Sequence, residues 1–63
     1  MHQHDPAFVR EGLRRVVSAF GPDKVSARLR SPPELIQTWL NGHATMPDRK
    51  VSVLVELLGE LPE

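Results

Sequence analysis

The apolar residues in the first third of the chain recur every three or four positions. They are Phe8, Val9, Leu13, Val16, Val17 and Phe20. This spacing places them on one face, so we predict an amphipathic helix that begins at Pro6, with Asp5 as its cap. The helix is expected to end at Gly21. Gly12 interrupts the apolar stripe at a cost of about 1 kcal/mol relative to alanine, which suggests that a neighbouring helix packs closely there.

Two short helices follow, and a proline lies at the start of each. We predict the first over residues 22–30 and the second over residues 32–40. At the start of the second, Ser31 is the expected N-cap and Glu34 the third helical residue, which together form a capping box. Gly42 is expected to cap the other end, because glycine readily adopts the left-handed conformation found there.

The last predicted helix starts at Pro47-Asp48 and ends at Gly59. Its apolar positions are Val51, Val53, Leu54, Val55, Leu57 and Leu58. No segment of the chain alternates with the period of a strand, so we predict an all-α fold, a compact bundle of four to five helices. The helical domain is expected to span residues 5–60, after a loose tail of residues 1–4.

This last helix carries more apolar residues than one buried stripe needs. One predicted face combines Val51, Leu54, Val55 and Leu58. Because Val53 and Leu57 fall outside that face, we predict that the helix contributes to the interface of a twofold homodimer. The predicted interface residues are Leu35, Val53, Leu57 and Leu61. The alternative is a core that surrounds the helix more fully.

The composition of the 63-residue chain limits its possible functions. The absence of cysteine excludes disulfides and thiolate metal sites. Eight basic residues balance eight acidic ones, so the net charge gives no overall attraction to nucleic acid or to a membrane. No apolar run reaches the roughly 18 residues of a membrane span and no signal peptide is visible, so we expect a cytoplasmic protein.

The sequence offers little chemistry for catalysis or metal binding. It has no nucleophile–base pair and no glycine-rich phosphate loop, and a deep cleft is hard to build at this length, so we predict neither an enzyme nor a cofactor. His2, His4 and His43 are potential metal ligands, but no carboxylate or cysteine completes a convincing set with them. We therefore predict no metal site.

The two short helices have the dimensions of a helix-turn-helix motif. The more specific pattern consists of Val25-Ser26-Ala27-Arg28-Leu29, Ser31, Ile36, Trp39-Leu40-Asn41-Gly42 and Pro47. Over about residues 12–58, this pattern resembles the lambda-repressor-like domains of the Cro/cI and xenobiotic-response-element type. The resemblance implies a small transcriptional regulator that binds double-stranded DNA without a cofactor. One departure is Arg30, which stands where the family usually has a glycine in a left-handed turn.

The resemblance also implies which residues read the DNA bases. The family's base-reading positions fall on Pro33, Glu34 and Thr38, with Gln37 beside them. Gln37 is suited to this role because its side-chain amide can pair with adenine through two hydrogen bonds.

Phosphate contacts are expected outside this recognition helix. The candidate residues are Lys24, His43, Arg49 and Lys50. Three of them, Lys24, Arg49 and Lys50, lie in the first turns of the second and fourth helices, where the helix dipole disfavours positive charge. A charge placed against this preference suggests a functional role, and the resemblance implies that these turns and the loop with His43 follow the DNA backbone. The alternative is that Asp23 and Asp48 neutralise the charges locally.

A second function remains open on the same fold. No lysine or arginine occurs between residues 31 and 48, and Glu34 would repel phosphate. The alternative is therefore a protein-interaction module that has lost its DNA-reading surface and holds a protein partner with Leu35 and the fourth helix. Under either function, Trp39 is expected to anchor the core rather than to stack on a base.

Overall fold

The computed structural model describes residues 6–62 and contains four helices in that range. They are α1 (Pro6–Phe20), α2 (Pro22–Leu29), α3 (Pro33–Leu40) and α4 (Asp48–Gly59). No strand occurs among these residues, so the prediction of an all-α fold is confirmed. The predicted loose tail over residues 1–4, which includes His2 and His4, and the predicted cap Asp5 lie outside the described residues.

Prolines and glycines divide the chain into these helices. Pro6, Pro22 and Pro33 are each the first residue of a helix, where the missing N–H of proline is not needed for helical hydrogen bonding. Gly21, with φ 92°, separates α1 from α2, and Gly42, with φ 79°, follows the end of α3. Both glycines have the positive φ that other residues rarely adopt, so the predicted ends of α1 and α3 are confirmed.

All four helices contribute to one apolar core. Its buried members are Leu13, Val16, Val25, Leu29, Ile36, Trp39, Met46, Val51, Leu54 and Leu57. Trp39 is only 4% exposed, which confirms its predicted place in the core. Met46 lies in the loop before α4, where no helical pattern predicts a core residue. Its flexible thioether side chain can fill a gap in the core from an irregular segment.

Helices α1 and α4 pack closely at Gly12. A Cβ atom at this position would lie 3.0 Å from Leu58 Cδ1 and 3.7 Å from Leu54 Cδ2. The glycine therefore leaves room for the leucines of α4, and the predicted close approach of a neighbouring helix is confirmed.

The predicted buried face of α4 is partly wrong. Val51, Leu54 and Leu57 are buried, whereas Val55 is 48% exposed. Helix α4 contacts both α1 and α2, so its buried stripe is wider than a single neighbouring helix would require. Leu57 is 0% exposed within a single chain, so its assignment to a dimer interface is wrong. The other three predicted interface residues, Leu35, Val53 and Leu61, are half-buried and pack against the core.

The predicted capping box at the start of α3 is also wrong. The helix begins at Pro33, one residue later than expected, and Pro32 occupies its cap position without a side-chain hydrogen bond. The hydroxyl of Ser31 instead donates to the carbonyl oxygen of Leu29, at 3.0 Å, and Ser31 is buried. Ser31 therefore satisfies the end of α2 rather than the start of α3, and Glu34 is not held by a capping box.

Candidate nucleic-acid interface

The predicted base-reading residues lie together on the outer side of α3. Because Ile36 and Trp39 face the core, the opposite side of the helix is left to solvent. Pro33, Glu34 and Gln37 are exposed, and Thr38 is partly exposed. These four residues form what we call the α3 outer face.

Two side chains of the α3 outer face already have hydrogen-bond partners. The side-chain amide of Gln37 donates to Asn41 Oδ1 at 3.1 Å, and the hydroxyl of Thr38 donates to the carbonyl oxygen of Glu34 at 2.9 Å. Both bonds are exposed to solvent, so each can be exchanged for a bond to another partner at small cost. The carboxylate of Glu34 has no hydrogen bond or ion pair within residues 6–62.

The cation of Lys24 lies over an aromatic ring at the end of α1. Its Nζ atom is 5.4 Å from the centroid of the Phe20 ring, which is a cation–π distance. Lys24 is exposed, and it forms no ion pair with Asp23, although Asp23 precedes it in the same helical turn. Its charge is therefore accessible at the start of α2.

Lys50 is held by the last residue of α2 and by the connection between α2 and α3 (residues 30–32, the α2–α3 turn). Its Nζ atom donates to the carbonyl oxygen of Leu29 at 2.6 Å and lies 3.5 Å from that of Arg30. The α2 carbonyls carry the negative end of the helix dipole, so a cation is stabilised there. The unfavourable position of Lys50 in α4 thus has a structural explanation in α2, and a phosphate would have to compete with these two carbonyl oxygens for its ammonium group.

The α2–α3 turn has an unusual backbone conformation. Arg30 adopts the left-handed region, with φ 52° and ψ 46°, and it is the only non-glycine residue with positive φ in residues 6–62. Arg30 therefore adopts the left-handed conformation expected at this turn. The strain is of order 1 kcal/mol. Lys50 and Ser31 offset it by bonding to Leu29, and the hydroxyl of Ser26 donates to the carbonyl of Ser31.

The other two predicted phosphate ligands are open to solvent. His43 and Arg49 are exposed, and neither side chain forms a hydrogen bond or ion pair within residues 6–62. A further cation, Arg10 of α1, lies against Gly42, the residue before His43. The Nη1 atom of Arg10 would be 2.5 Å from a Cβ atom at Gly42, so the guanidinium covers the turn after α3. No sequence signal links Arg10 to that turn, because the contact depends on how α1 packs against α3.

Asp23 and Asp48 are the predicted alternative partners that would neutralise Lys24, Arg49 and Lys50 locally. Neither aspartate forms an ion pair in the described part of the chain.

The two ion pairs in that part of the chain involve other residues. Arg14 contacts Glu11 at 3.6 Å along α1, whereas Arg28 joins α2 to the end of α4 by two hydrogen bonds to Glu60, at 3.1 and 2.7 Å. The bonded guanidinium of Arg28 holds the pKa of Glu60 below its ordinary value.

Replacing Lys50 with methionine is expected to lower the free energy of unfolding by about 1–2 kcal/mol. The change keeps the aliphatic chain but removes a charged hydrogen bond to the Leu29 carbonyl, and such bonds contribute about 1.5–3 kcal/mol when well shielded. The matched control is Arg49→Met, which removes a neighbouring cation that has no such bond. Urea unfolding measures the difference. Equal midpoints for the two variants would show that the Lys50 contact does not stabilise the turn.

Comparisons with known proteins do not assign this chain to a family. No protein-family model, curated protein or solved structure matches it. Within residues 6–62, no helix has the length and apolar character needed to cross a membrane. The same part of the chain contains no group of three or more histidine, cysteine, aspartate or glutamate residues placed to hold a metal ion.

Proposed function

We propose that this protein is a small DNA-binding transcriptional regulator that uses α2 and α3 as a helix-turn-helix and binds DNA as a dimer. The observation that carries the proposal is the α3 outer face. Helix α3 packs on the core through Ile36 and Trp39, and its opposite, polar side is exposed to solvent. An α-helix fits the major groove of DNA, where hydrogen-bonding side chains distinguish the base pairs.

The chemistry of the α3 outer face suits direct base readout. Gln37 can exchange its bond to Asn41 for two bonds to adenine, and the free carboxylate of Glu34 can accept from the amino group of cytosine. Glu34 also repels phosphate, so it favours a position deep in the groove over one beside the backbone. The expected specificity therefore comes from hydrogen bonds to bases rather than from arginine contacts to guanine.

The exposed cations suit contacts to the DNA backbone. Lys24 lies in the first turn of α2 and Arg49 in the first turn of α4, and neither is held by an acidic side chain. Cations contribute affinity and orientation at the backbone without reading the sequence. Lys50 is not included, because its ammonium group is bonded within the protein. The proposed backbone contacts are therefore few.

The proposal predicts a shallow dependence of DNA affinity on salt. Lys24 and Arg49 from two subunits give about four phosphate contacts, so log affinity should fall with log salt concentration at a slope of about −3.6. Arg49→Gln should make the slope shallower by about 1.8 and weaken binding to all sequences alike. Gln37→Ala should instead reduce discrimination between sites by about 1–3 kcal/mol.

The experiment is a titration of the protein with random duplex DNA and with a selected binding site, at several salt concentrations. Arg14→Gln serves as the control, because Arg14 is an exposed cation of α1 that is already paired with Glu11. It should leave the slope unchanged. Failure of the wild type to bind either DNA at low salt would contradict the proposed function.

A protein-interaction module is the second candidate, and the charge of α3 favours it. The outer side of α3 carries a free carboxylate and no cation, and half-buried Leu35 lies beside it. A protein partner would not need the positive charge that DNA demands. In the titration above, absence of DNA binding by a folded protein would favour this function.

A further inference from the structure

Two large apolar side chains are exposed in the described part of the chain. Phe8 of α1 is 51% exposed and Val55 of α4 is 48% exposed. The sequence predicts both residues on apolar stripes that face the core, whereas the structure exposes them. A phenylalanine and a valine that remain half in water are available for contact with another molecule.

Both residues border the junction between α1 and α4. Gly12 of α1 lies against Leu58 of α4, where a Cβ atom would be 3.0 Å from the leucine. Phe8 is one helical turn before Gly12, and Val55 is three residues before Leu58. Residues three or four apart share a side of a helix, so Phe8 and Val55 lie on the sides of α1 and α4 that meet at this junction, each about one turn before the Gly12–Leu58 contact, and their exposure puts them at its edge.

The two helices run in the same direction along this junction. Gly12 lies against Leu54 and Leu58 of α4. Residues that follow α4, Leu61 and Pro62, share a groove with a segment of α1 that extends to its C-terminal end; the α1 residues lining it are Glu11, Arg14, Arg15, Ser18 and Ala19. The chain beyond α4 thus lies beside the C-terminal half of α1, as it does when the two helices point the same way. A second copy related by a twofold axis perpendicular to both helices would therefore place its α4 antiparallel to α1 of the first copy.

We propose that a second copy of this chain docks on this surface, the α1–α4 outer face, through Phe8, Arg15, Asp48 and Val55. In the antiparallel arrangement, Phe8 contacts the partner's Val55. Arg15 is seven residues after Phe8, and Asp48 is seven residues before Val55. The same contact therefore brings Arg15 opposite the partner's Asp48, and the twofold axis repeats both pairs.

The charges of the α1–α4 outer face are complementary to those of a second copy of the same face. Arg15 and Asp48 are both exposed, and neither forms an ion pair within residues 6–62. On α1 the apolar residue comes seven positions before the cation. On α4 the anion comes seven positions before the apolar residue, so the two helices carry the same spacing in opposite order. A surface that complements itself under a twofold rotation is the requirement for a symmetric dimer.

The proposed contact is small, so we expect weak association. A stable interface buries about 800 Å² on each partner, more than two half-exposed apolar side chains can supply. The inference rests on the dimer in the proposed function but not on DNA binding. A monomer that still binds DNA would overturn the inference and leave the DNA-binding proposal intact.

Sedimentation equilibrium of the full chain, up to the millimolar range and at low salt, tests the proposal by charge reversal. Arg15→Glu places a glutamate opposite the partner's Asp48, and the twofold axis repeats this repulsion. The variant should therefore weaken the dimer at least about tenfold. Asp48→Arg should do the same. The double variant Arg15→Glu/Asp48→Arg restores opposite charges and should recover the wild-type dissociation constant within about threefold.

Arg14→Glu is the matched control, because it makes the same charge change at the neighbouring residue, whose ion-pair partner is Glu11 of the same helix and not the partner's Asp48. It should leave association unchanged. Phe8→Ser provides an independent test that leaves the charges of the interface as they are, and it should also weaken the dimer. Circular dichroism confirms folding of each variant. A wild type that stays monomeric, or a folded double variant that does not recover association, would overturn the proposed pairing.

Discussion

Replacing Trp39 with alanine is expected to lower the free energy of unfolding by about 3–5 kcal/mol. Trp39 is 4% exposed and lies in the same buried cluster as Val25, Leu29 and Ile36, where α2 and α3 meet. A domain of this size has a stability of only a few kcal/mol, so the variant should be largely unfolded in dilute buffer. Far-ultraviolet circular dichroism and urea unfolding measure the loss.

Gln37→Ala is the matched control for Trp39→Ala. Gln37 lies on the same helix, is exposed, and bonds only to Asn41. Its replacement should change the free energy of unfolding by no more than about 0.5 kcal/mol. If Trp39→Ala kept its full helical signal and melted with the control, the packing of α3 on the core would not depend on its largest side chain.

Leu57→Glu and Val55→Glu are expected to have opposite outcomes, although they introduce the same charge two residues apart. Leu57 is 0% exposed, so its replacement buries a carboxylate without a partner and should cost more than about 4 kcal/mol. Val55 is 48% exposed, so a glutamate there remains in water and the protein should stay folded. Thermal unfolding of the two variants separates them directly.

The comparison also tests the position of α4 in the fold. A folded, monomeric Leu57→Glu protein would mean that Leu57 faces a second subunit after all, and that α4 is rotated relative to the described structure. A folded Val55→Glu protein with weakened self-association agrees with the proposed α1–α4 outer face.

The helices could be predicted from the sequence because local chemistry sets their limits. Proline begins α1, α2 and α3, and glycine follows the ends of α1 and α3; the effects of both residues on the backbone do not depend on distant residues. The buried face of α4 could not be predicted fully. Apolar residues occur almost all round this helix, so the pattern alone does not show that Leu57 is buried and that Val55 stays in solvent.

The candidate site shows the same division. The exposure of Glu34 and Gln37 follows from the helical period of α3, once Ile36 and Trp39 are placed in the core. The capping box failed because Ser31 had a competing acceptor, the Leu29 carbonyl, that a local sequence motif does not reveal.

Lys50 and Arg10 could not be placed from the sequence either. Lys50 looked misplaced at the start of α4 because its partner is the end of a different helix. Arg10 lies beside Gly42 only because α1 packs next to α3. Side chains whose partners are far along the chain are thus the ones that sequence reasoning assigned wrongly or missed.

The bond between Lys50 and the Leu29 carbonyl has a consequence for any attempt to transplant the recognition element. It joins residues 21 positions apart, so the left-handed turn at Arg30 is completed by a helix that lies outside the two helices it connects. A synthetic peptide of residues 22–40 would contain both helices but lack the ammonium group that holds the link between them. A graft into another scaffold should therefore carry the first turn of α4 along, or substitute glycine for Arg30.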